Sequence, residues 1–459
     1  MTPEKFQELL EAKNIDSLRS GFVTREKVVE DSLKQYQIAE HQVMKRQDKI
    51  IKKADGATEN VKQWKLPVPY QKKIVELAVA FLFGKPVQLV QQSEGTDEVF
   101  GYLTDLWKDM RQNARNRELA RTLFSETEVA RLFFPQTEDP LTDENKSKPG
   151  VVKVRSMLLA KSLGDTLYTL FDSYGALQAF GRGYLVMEGE KEVEHFDVYQ
   201  AKNIIYCTKK DDGWEVETKA NPIGKIPASY YKQAQTEWAD VQPLIERYEY
   251  LGSRRADVND YSADPILILK GIVQSLPGKD EVGRVVELDG PGADASYLTP
   301  QMAVEMVKQE RENLKEDIQF FTDTPDISLE KMATIGTTSG KAMELLFFQA
   351  LLKAMRKHEL FEEMIDREIN IIKAFITTFV DTNPTIAQQA KNLKVGIEFG
   401  NPLPDSFEDV LNMLNLATGG KAIMSQKTAV SQNPLVKDAD TEYSQLQGEE
   451  TEDKVTLTI

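Results

Sequence analysis

Residues 221–271, NPIGKIPASYYKQAQTEWADVQPLIERYEYLGSRRADVNDYSADPILILKG, decide how the rest of the chain is read. A Pro-bounded strand leads into a long polar helix, and a short apolar strand at 265–269 follows it. The helix, over 236–261, has only a weak apolar stripe, and Pro243 and Gly252 predict a late start or a kink. Nothing in this order has catalytic logic. A helix so poor in apolar surface buries little alone and has to lean on copies of itself.

Working outward, the 459 residues exceed the size of a single core, so two or more packed regions are expected. With 41% hydrophobic and 28% charged residues the composition is globular, and the longest apolar run, 74–83, is too short to span a bilayer. The N-terminal MTPEKFQELLEAKNID reads as a capped amphipathic helix, not a signal peptide, so the chain is expected to stay in the cytoplasm where it is made. Cys207 is the single cysteine, which excludes an intrachain disulfide, and His41, His195 and His358 lie far apart. The net charge of −16 opposes tight phosphate binding. This is not a sequence-reading DNA binder; a wall past which DNA slides stays compatible with the charge, because repulsion leaves no deep wells.

Residues 2–54 read as polar-rich surface helices with apolar points at Phe6, Leu9, Leu10, Val28, Val29, Leu33 and Ile38. A helix from Tyr70 turns Ile74, Leu77, Ala78, Phe81 and Leu82 inward and ends at Gly84 and Pro86. One helix is expected over 97–124. Strands follow at 129–134, 151–154, 166–171, 183–188, 192–198, 203–207 and 213–218, an α/β or α+β block with a meander. A small β-rich knob with a second strand at 284–288 precedes a helix over 300–321, whose N-cap is Thr299, whose first residue is Pro300, and whose middle, 308–313, is fully polar. A Thr/Gly/Ser-rich loop at 322–339 then leads into a helix over 340–380, ~60 Å long if unbroken. After a strand at 393–399 the chain is helical and Pro-punctuated, closing in an acidic segment at 438–453 expected to be mobile.

Candidate chemistry is sparse. IGTTSGKAM at 335–343 fails as a phosphate cradle, since only three residues separate Gly336 from Gly340, Ala342 follows Lys341, and no strand precedes it. Asp257 with Asp260, and Glu362, Glu363 and Asp366, are acid clusters able to ligate magnesium, but their charged neighbours make them solvated surface groups. His195 reads as an ordinary strand residue and Cys207 as a buried structural thiol. Tyr230, Tyr231, Trp238, Tyr248 and Tyr250 would need a positive groove to stack bases; acids interleave them, so packing or subunit contact is expected.

Five segments in order carry a resemblance: FLFGKPV; NPIGKIP; ERYEYLGSRRADVNDYSADPILILKG; DTPDISLEKMATIGTTSGKAMELLFFQALLKAMRKHELFEE; and KAIMSQKTAVSQNPLVKDADTE. Over 65–442 the chain resembles the portal proteins of tailed double-stranded-DNA bacteriophages, particularly the siphophage-like branch, with weaker likeness at 91–219 and in the first sixty or so residues.

The resemblance implies a mixed α+β, helix-rich, elongated subunit with wing, stem, clip and crown regions, forming a ring, twelve-membered in the family, with a central channel. It divides the chain into a wing (1–237), first stem helix (238–262), clip (263–299), second stem helix (300–321), tunnel loop (322–339), long spine helix with a wing return strand (340–400), and crown with acidic tail (401–459). It further implies a structural, non-enzymatic head-to-tail connector without cofactors, through which DNA is packaged and ejected. Implied partners are other copies of the chain, non-specific double-stranded DNA, the terminase large subunit, neck or adaptor proteins, and the major capsid and scaffolding proteins, with no membrane. The location is the capsid portal vertex of the virion, after assembly in the host cytoplasm. Lys331, Thr334, Thr337, Thr338, Ser339 and Lys341 are expected at the DNA; Lys308, Arg311, Glu312 and Lys315 along the stem; and Lys270, Gln274, Lys279, Asp280 and Arg284 on the clip. On the second stem helix, helical spacing lets Lys308 pair with Glu312 and Glu312 with Lys315, while Arg311 reaches towards a neighbour. The competing readings are a metal-dependent nucleic-acid-processing enzyme and a monomeric scaffold or adaptor.

Overall fold

The computed structural model describes residues 2–52, 56–138, 151–263, 266–275, 287–298, 304–328, 347–402, 407–419, 422–433, 435–436 and 438–456. Three short N-terminal helices, α1 (Pro3–Glu11), α2 (Ile15–Ser20) and α3 (Glu26–Tyr36), precede a hairpin of β1 (Lys49–Lys52) and β2 (Thr58–Val61). Thr2 caps α1 through a bond from the Lys5 amide, with Pro3 at the first position, where its missing N–H costs nothing. The expectation of polar surface helices needs correcting here: Phe6, Ile15, Leu18 and Phe22 are buried. They cover a five-stranded antiparallel meander of β6 (Asp165–Phe171), β7 (Leu177–Glu188), β8 (Lys191–Tyr199), β9 (Asn203–Lys210) and β10 (Gly213–Ala220), meeting Tyr168, Phe196 and Cys207 beneath it. One apolar residue every third or fourth position is enough to cover a sheet when the helices are short.

The main core forms around α4 (Tyr70–Phe83), α5 (Asp97–Asp109), α6 (Gln112–Glu126) and a long helix, α9 (Phe348–Phe375), whose end widens into a π-helical turn at Ile376–Val380. In α4 the deepest positions are Ile74, Val75, Val79, Leu82 and Phe83, while Leu77, Ala78 and Phe81 are half-buried. The inward face is therefore rotated from the expected one, because α6 and α9 both press on this helix and bury a wide arc. Phe361 of α9 is the hub, with Phe83 edge-on at 5.0 Å, Tyr231 at 5.5 Å and Phe124 at 6.2 Å. Such aromatic pairs add about 0.5–1.5 kcal/mol each beyond their buried area. The single helix expected over 97–124 is two, broken where Arg111 takes a left-handed φ of 53°.

A three-stranded sheet, β11–β4–β5, joins the two cores, with β4 (Glu128–Glu138) between β5 (Val151–Leu159) and β11 (Ala228–Lys232). β3 (Gln88–Gln91) pairs with β14 (Val395–Glu398), which brings the return strand beside the N-terminal half. Between these lie helix α7 (Gln242–Ala263), the hairpin β12 (Ile266–Ser275) and β13 (Glu287–Leu298), and helix α8 (Val304–Phe321). α7 starts late, with Pro243 at its second residue, and passes Gly252 without a break. After α9 come α10 (Pro384–Asn392), α11 (Phe407–Thr418), α12 (Gln426–Gln432) and α13 (Ala439–Thr456). The acidic end forms the helix α13, in keeping with its Glu, Gln and Leu residues, which are good helix formers.

Candidate functional site

The distinctive element is the pair α7 and α8. Along α8 the inward positions are Val307, Arg311, Leu314 and Ile318, spaced i, i+4, i+7 and i+11, and among the described residues of the helix only Leu314 and Ile318 are buried apolar residues. This is a narrow seam, not a core face. Two polar contacts register it. Arg247 donates from Nε and Nη2 to Glu310 Oε1 at 2.9 and 2.8 Å, and the Arg311 guanidinium lies 4.3 Å from the Tyr248 ring centroid. Tyr248 in turn meets Tyr70 edge-on at 5.2 Å, and burial, helped by Tyr248, pushes the Tyr70 phenol up. The half-exposed Arg247–Glu310 pair contributes under about 1 kcal/mol, and the stacked Arg311 about 0.5–2 kcal/mol.

Arg311, expected to reach towards a neighbour, stacks on Tyr248 within its own chain. Lys315 likewise bonds Asp326 at 3.1 Å and Lys308 approaches Glu305 at 4.0 Å, so neither makes the expected pair with Glu312. Spacing alone could not foresee this, because Tyr248 and Asp326 lie outside the helix.

A different face of α7 holds an extended strap. Glu249, Ser253, Asp257 and Asp260 accept, in turn, the Val68 amide (2.8 Å), the Leu66 amide (2.9 Å), the Trp64 amide (2.7 Å) and the Trp64 indole N–H. Arg46 adds a 2.8 Å bond to Asp257, and His41 Nδ1 sits 2.7 Å from Glu249. Asp257, half-buried, and Asp260, exposed at the surface, anchor backbone and indole donors of the strap. Among the described residues no group of three or more His, Cys, Asp and Glu is placed to hold a metal ion, and no helix is long and apolar enough to cross a membrane.

The entry to α7 and the exit from α8, at one end of the pair, are tied to α9. Lys353 and Lys357 bond Glu237, just before α7, at 3.0 and 2.6 Å. Burial would raise the Glu237 pKa, but the two ammonium groups outweigh it and hold the carboxyl below its ordinary value. Lys353 also donates to the Thr322 carbonyl at 2.9 Å, and Arg356 bonds Asp323, whose φ is 52°. The chain leaving α8 is thereby fixed against the long helix.

Lys270 lies exposed on β12 and Gln274 is near the end of the same strand. Lys279, Asp280, Arg284, Lys331, Thr334, Thr337, Thr338, Ser339 and Lys341 lie outside the described residues, as does the Gly-rich segment 335–343. Glu362, Glu363 and Asp366 are exposed on α9. The aromatic series is used in packing: Tyr230 donates to Glu128 at 2.6 Å, Tyr231 to Glu368 at 2.7 Å, and Trp238 to Gln35 at 2.9 Å. Cys207 is buried, and its thiol is pushed up to about 12 by burial and then by Asp197, which makes it inert at neutral pH. His195 stacks on Tyr184 as an ordinary strand residue.

Sequence reasoning missed the buried group joining Arg131, Asn116, Tyr231 and Glu368. Its signal was Glu368 on the same stripe as Phe361, Ile365 and Ile372.

Residues 28–456 match the family described as phage portal protein, SPP1 Gp6-like. Solved structures with distant likeness include a chain from the neck of a native GTA particle computed with C12 symmetry, at 10% identity and a TM-score of 0.42, covering 80% of this chain and 88% of that one. A chain from the neck of an empty GTA particle computed with C6 symmetry is 10% identical, with a TM-score of 0.39 and coverage of 78% and 87%. A chain from the virion of a native gene transfer agent particle is 10% identical, with a TM-score of 0.40 and coverage of 91% and 97%. No curated protein matches.

Proposed function

This chain belongs to the phage portal protein family, and from that premise we propose that twelve copies close into a ring whose channel passes double-stranded DNA during packaging and ejection. Portal proteins are structural channel-forming connectors, and this chain is read as one by its family. The observation that carries the reading is the seam of α8: an 18-residue helix, ~27 Å long, with Leu314 and Ile318 the buried apolar side chains among its described residues and Met306 largely exposed. Neighbouring copies tilted around an axis supply the missing contacts and leave charged positions facing water.

In this reading α7 and α8 are the stem, the β12–β13 hairpin the clip, 322–339 the tunnel loop, 340–380 the spine and 401–459 the crown. The meander and the N-terminal helices form the wing. The clip, with Lys270, Gln274, Lys279, Asp280 and Arg284, docks the terminase large subunit and later the neck or adaptor proteins, while the wing and crown meet capsid and scaffolding proteins. Lys331, Thr334, Thr337, Thr338, Ser339 and Lys341 touch phosphates briefly as the duplex passes. Lys308 and Glu312 face water on the stem; Arg311 and Lys315 hold it together. The ring sits at the portal vertex of a siphophage-like virion after assembly in the host cytoplasm. An overall charge of −16 keeps the passing duplex from sticking.

The test is an in vitro packaging assay with Lys331→Ala. Intact rings with altered packaging or DNA retention are expected; unchanged packaging and retention would remove the loop from the mechanism.

A further inference from the structure

The hairpin of β1 and β2 is anomalous. Its strands pair Lys49 with Val61 through Lys52 with Thr58, every position of β2 is exposed, and Ile50 is 72% exposed. A two-stranded ribbon is marginal in water on its own. Its charge is anomalous too. Residues 45–65 contain seven Lys and Arg against three Asp and Glu, a net of +4, in a chain whose total is −16. Arg46 is spent on Asp257, whereas Lys49, Lys52 and Lys62 are exposed and form no ion pair among the described residues.

The opposite charge lies on α8. With Arg311 turned onto Tyr248 and Lys315 onto Asp326, the outward stripe keeps Glu305, Glu312 and Glu316 exposed, within about 40° of one another on the helix, and its one cation, Lys308, lies towards Glu305 at 4.0 Å, leaving the stripe net acidic. The strap that carries the hairpin and the helix that carries the acids approach α7 from different sides. Glu249, Ser253, Asp257 and Asp260 centre about 150° around α7 from Arg247, Tyr248 and Gly252, which meet α8. Each copy therefore presents a basic flank and an acidic flank, the arrangement a head-to-tail ring requires.

We propose that the paired strands of the basic hairpin in one copy dock on the Glu305–Glu312–Glu316 stripe of the next copy. The inference rests on the ring proposed above and names one contact that selects its neighbour and register. A second copy fits better than a nucleic acid because it accounts for both charged flanks together.

The experiment compares wild type with Lys49→Glu/Lys52→Glu, with Glu312→Lys/Glu316→Lys, and with all four changes, reading ring fraction by mass photometry at low salt and melting temperature for each. Each pair of reversals is expected to lower the ring fraction about tenfold, and the fourfold exchange to recover it. Rings that survive both reversals, or no recovery at unchanged melting temperature, overturn the contact. So does an arm variant that keeps its rings but loses retention of duplex DNA, which would make nucleic acid the occupant. As an independent readout, zero-length carbodiimide crosslinking of wild-type rings is expected to join Lys49 or Lys52 to Glu312 or Glu316, with no such link in dissociated subunits. Absence of that link from the rings also overturns the contact. A wild type that forms no rings is a failure of the ring proposal itself, distinguishable because no variant is needed to see it.

Discussion

Arg131 Nη1 meets Glu368 Oε2 at 2.6 Å with neither side chain exposed, so the central strand of the joining sheet and the long helix share one buried charge pair. Asn116 Oδ1 accepts the second guanidinium nitrogen at 2.9 Å and Tyr231 donates to the other carboxylate oxygen at 2.7 Å. Burial pushes the Glu368 carboxyl up while Arg131 and Tyr231 pull it down. Removing one member strands the other: Arg131→Met is expected to cost about 3–5 kcal/mol, and Arg131→Met with Glu368→Leu much less than the sum of the single changes. Urea denaturation of the four proteins checks this, and strict additivity would contradict it.

Glu237 sets a pH dependence. Its folded-state pKa lies below the ordinary 4.5, because Lys353 and Lys357 outweigh the burial that opposes them. The stability it contributes is therefore fully present above 4.5 and is lost as pH falls through the lower, folded-state value. Glu237→Gln is expected to be less stable than wild type by about 3 kcal/mol at neutral pH. Denaturation at a series of pH values should show that gap closing in acid; a gap independent of pH would refute the ion-pair origin.

Tyr248→Ala removes the surface on which Arg311 lies and is expected to loosen α8 by about 1–2 kcal/mol. Amide hydrogen exchange along 307–318 should quicken by about tenfold. Exchange unchanged in that stretch would mean that the stacking does not register the stem.

Cys207, with its thiol pushed up to about 12, is expected to resist maleimide at pH 8 in the folded protein and to react once the meander is unfolded. Rapid labelling of the native protein would contradict the burial of β9 beneath α1 and α2.

The long-range order of the fold was legible where periodicity is strong. The seven strands expected between 129 and 218 all form, extended by one to several residues, because alternating apolar residues and Gly turns mark them. The polar character of α8 was legible too, since no neighbour in sequence could hide Lys308 to Asn313. What escaped reading depends on partners distant in sequence. β1 and β2 are too short and polar to announce a hairpin, and their anchors, Asp257 and Asp260, lie roughly two hundred residues away. Arg131 and Glu368, 237 residues apart and in contact, carried no signal in sequence that would pair them. Arg111 breaks 97–124 through a left-handed φ that its side chain does not advertise.

Electron-microscope imaging of the purified protein, with mass photometry of the same sample, tests the central claim most directly. Closed rings of about twelve copies around an open axis are expected. A population that stays monomeric at every concentration would contradict it, because a lone subunit would then have to tolerate the unpartnered face of α8.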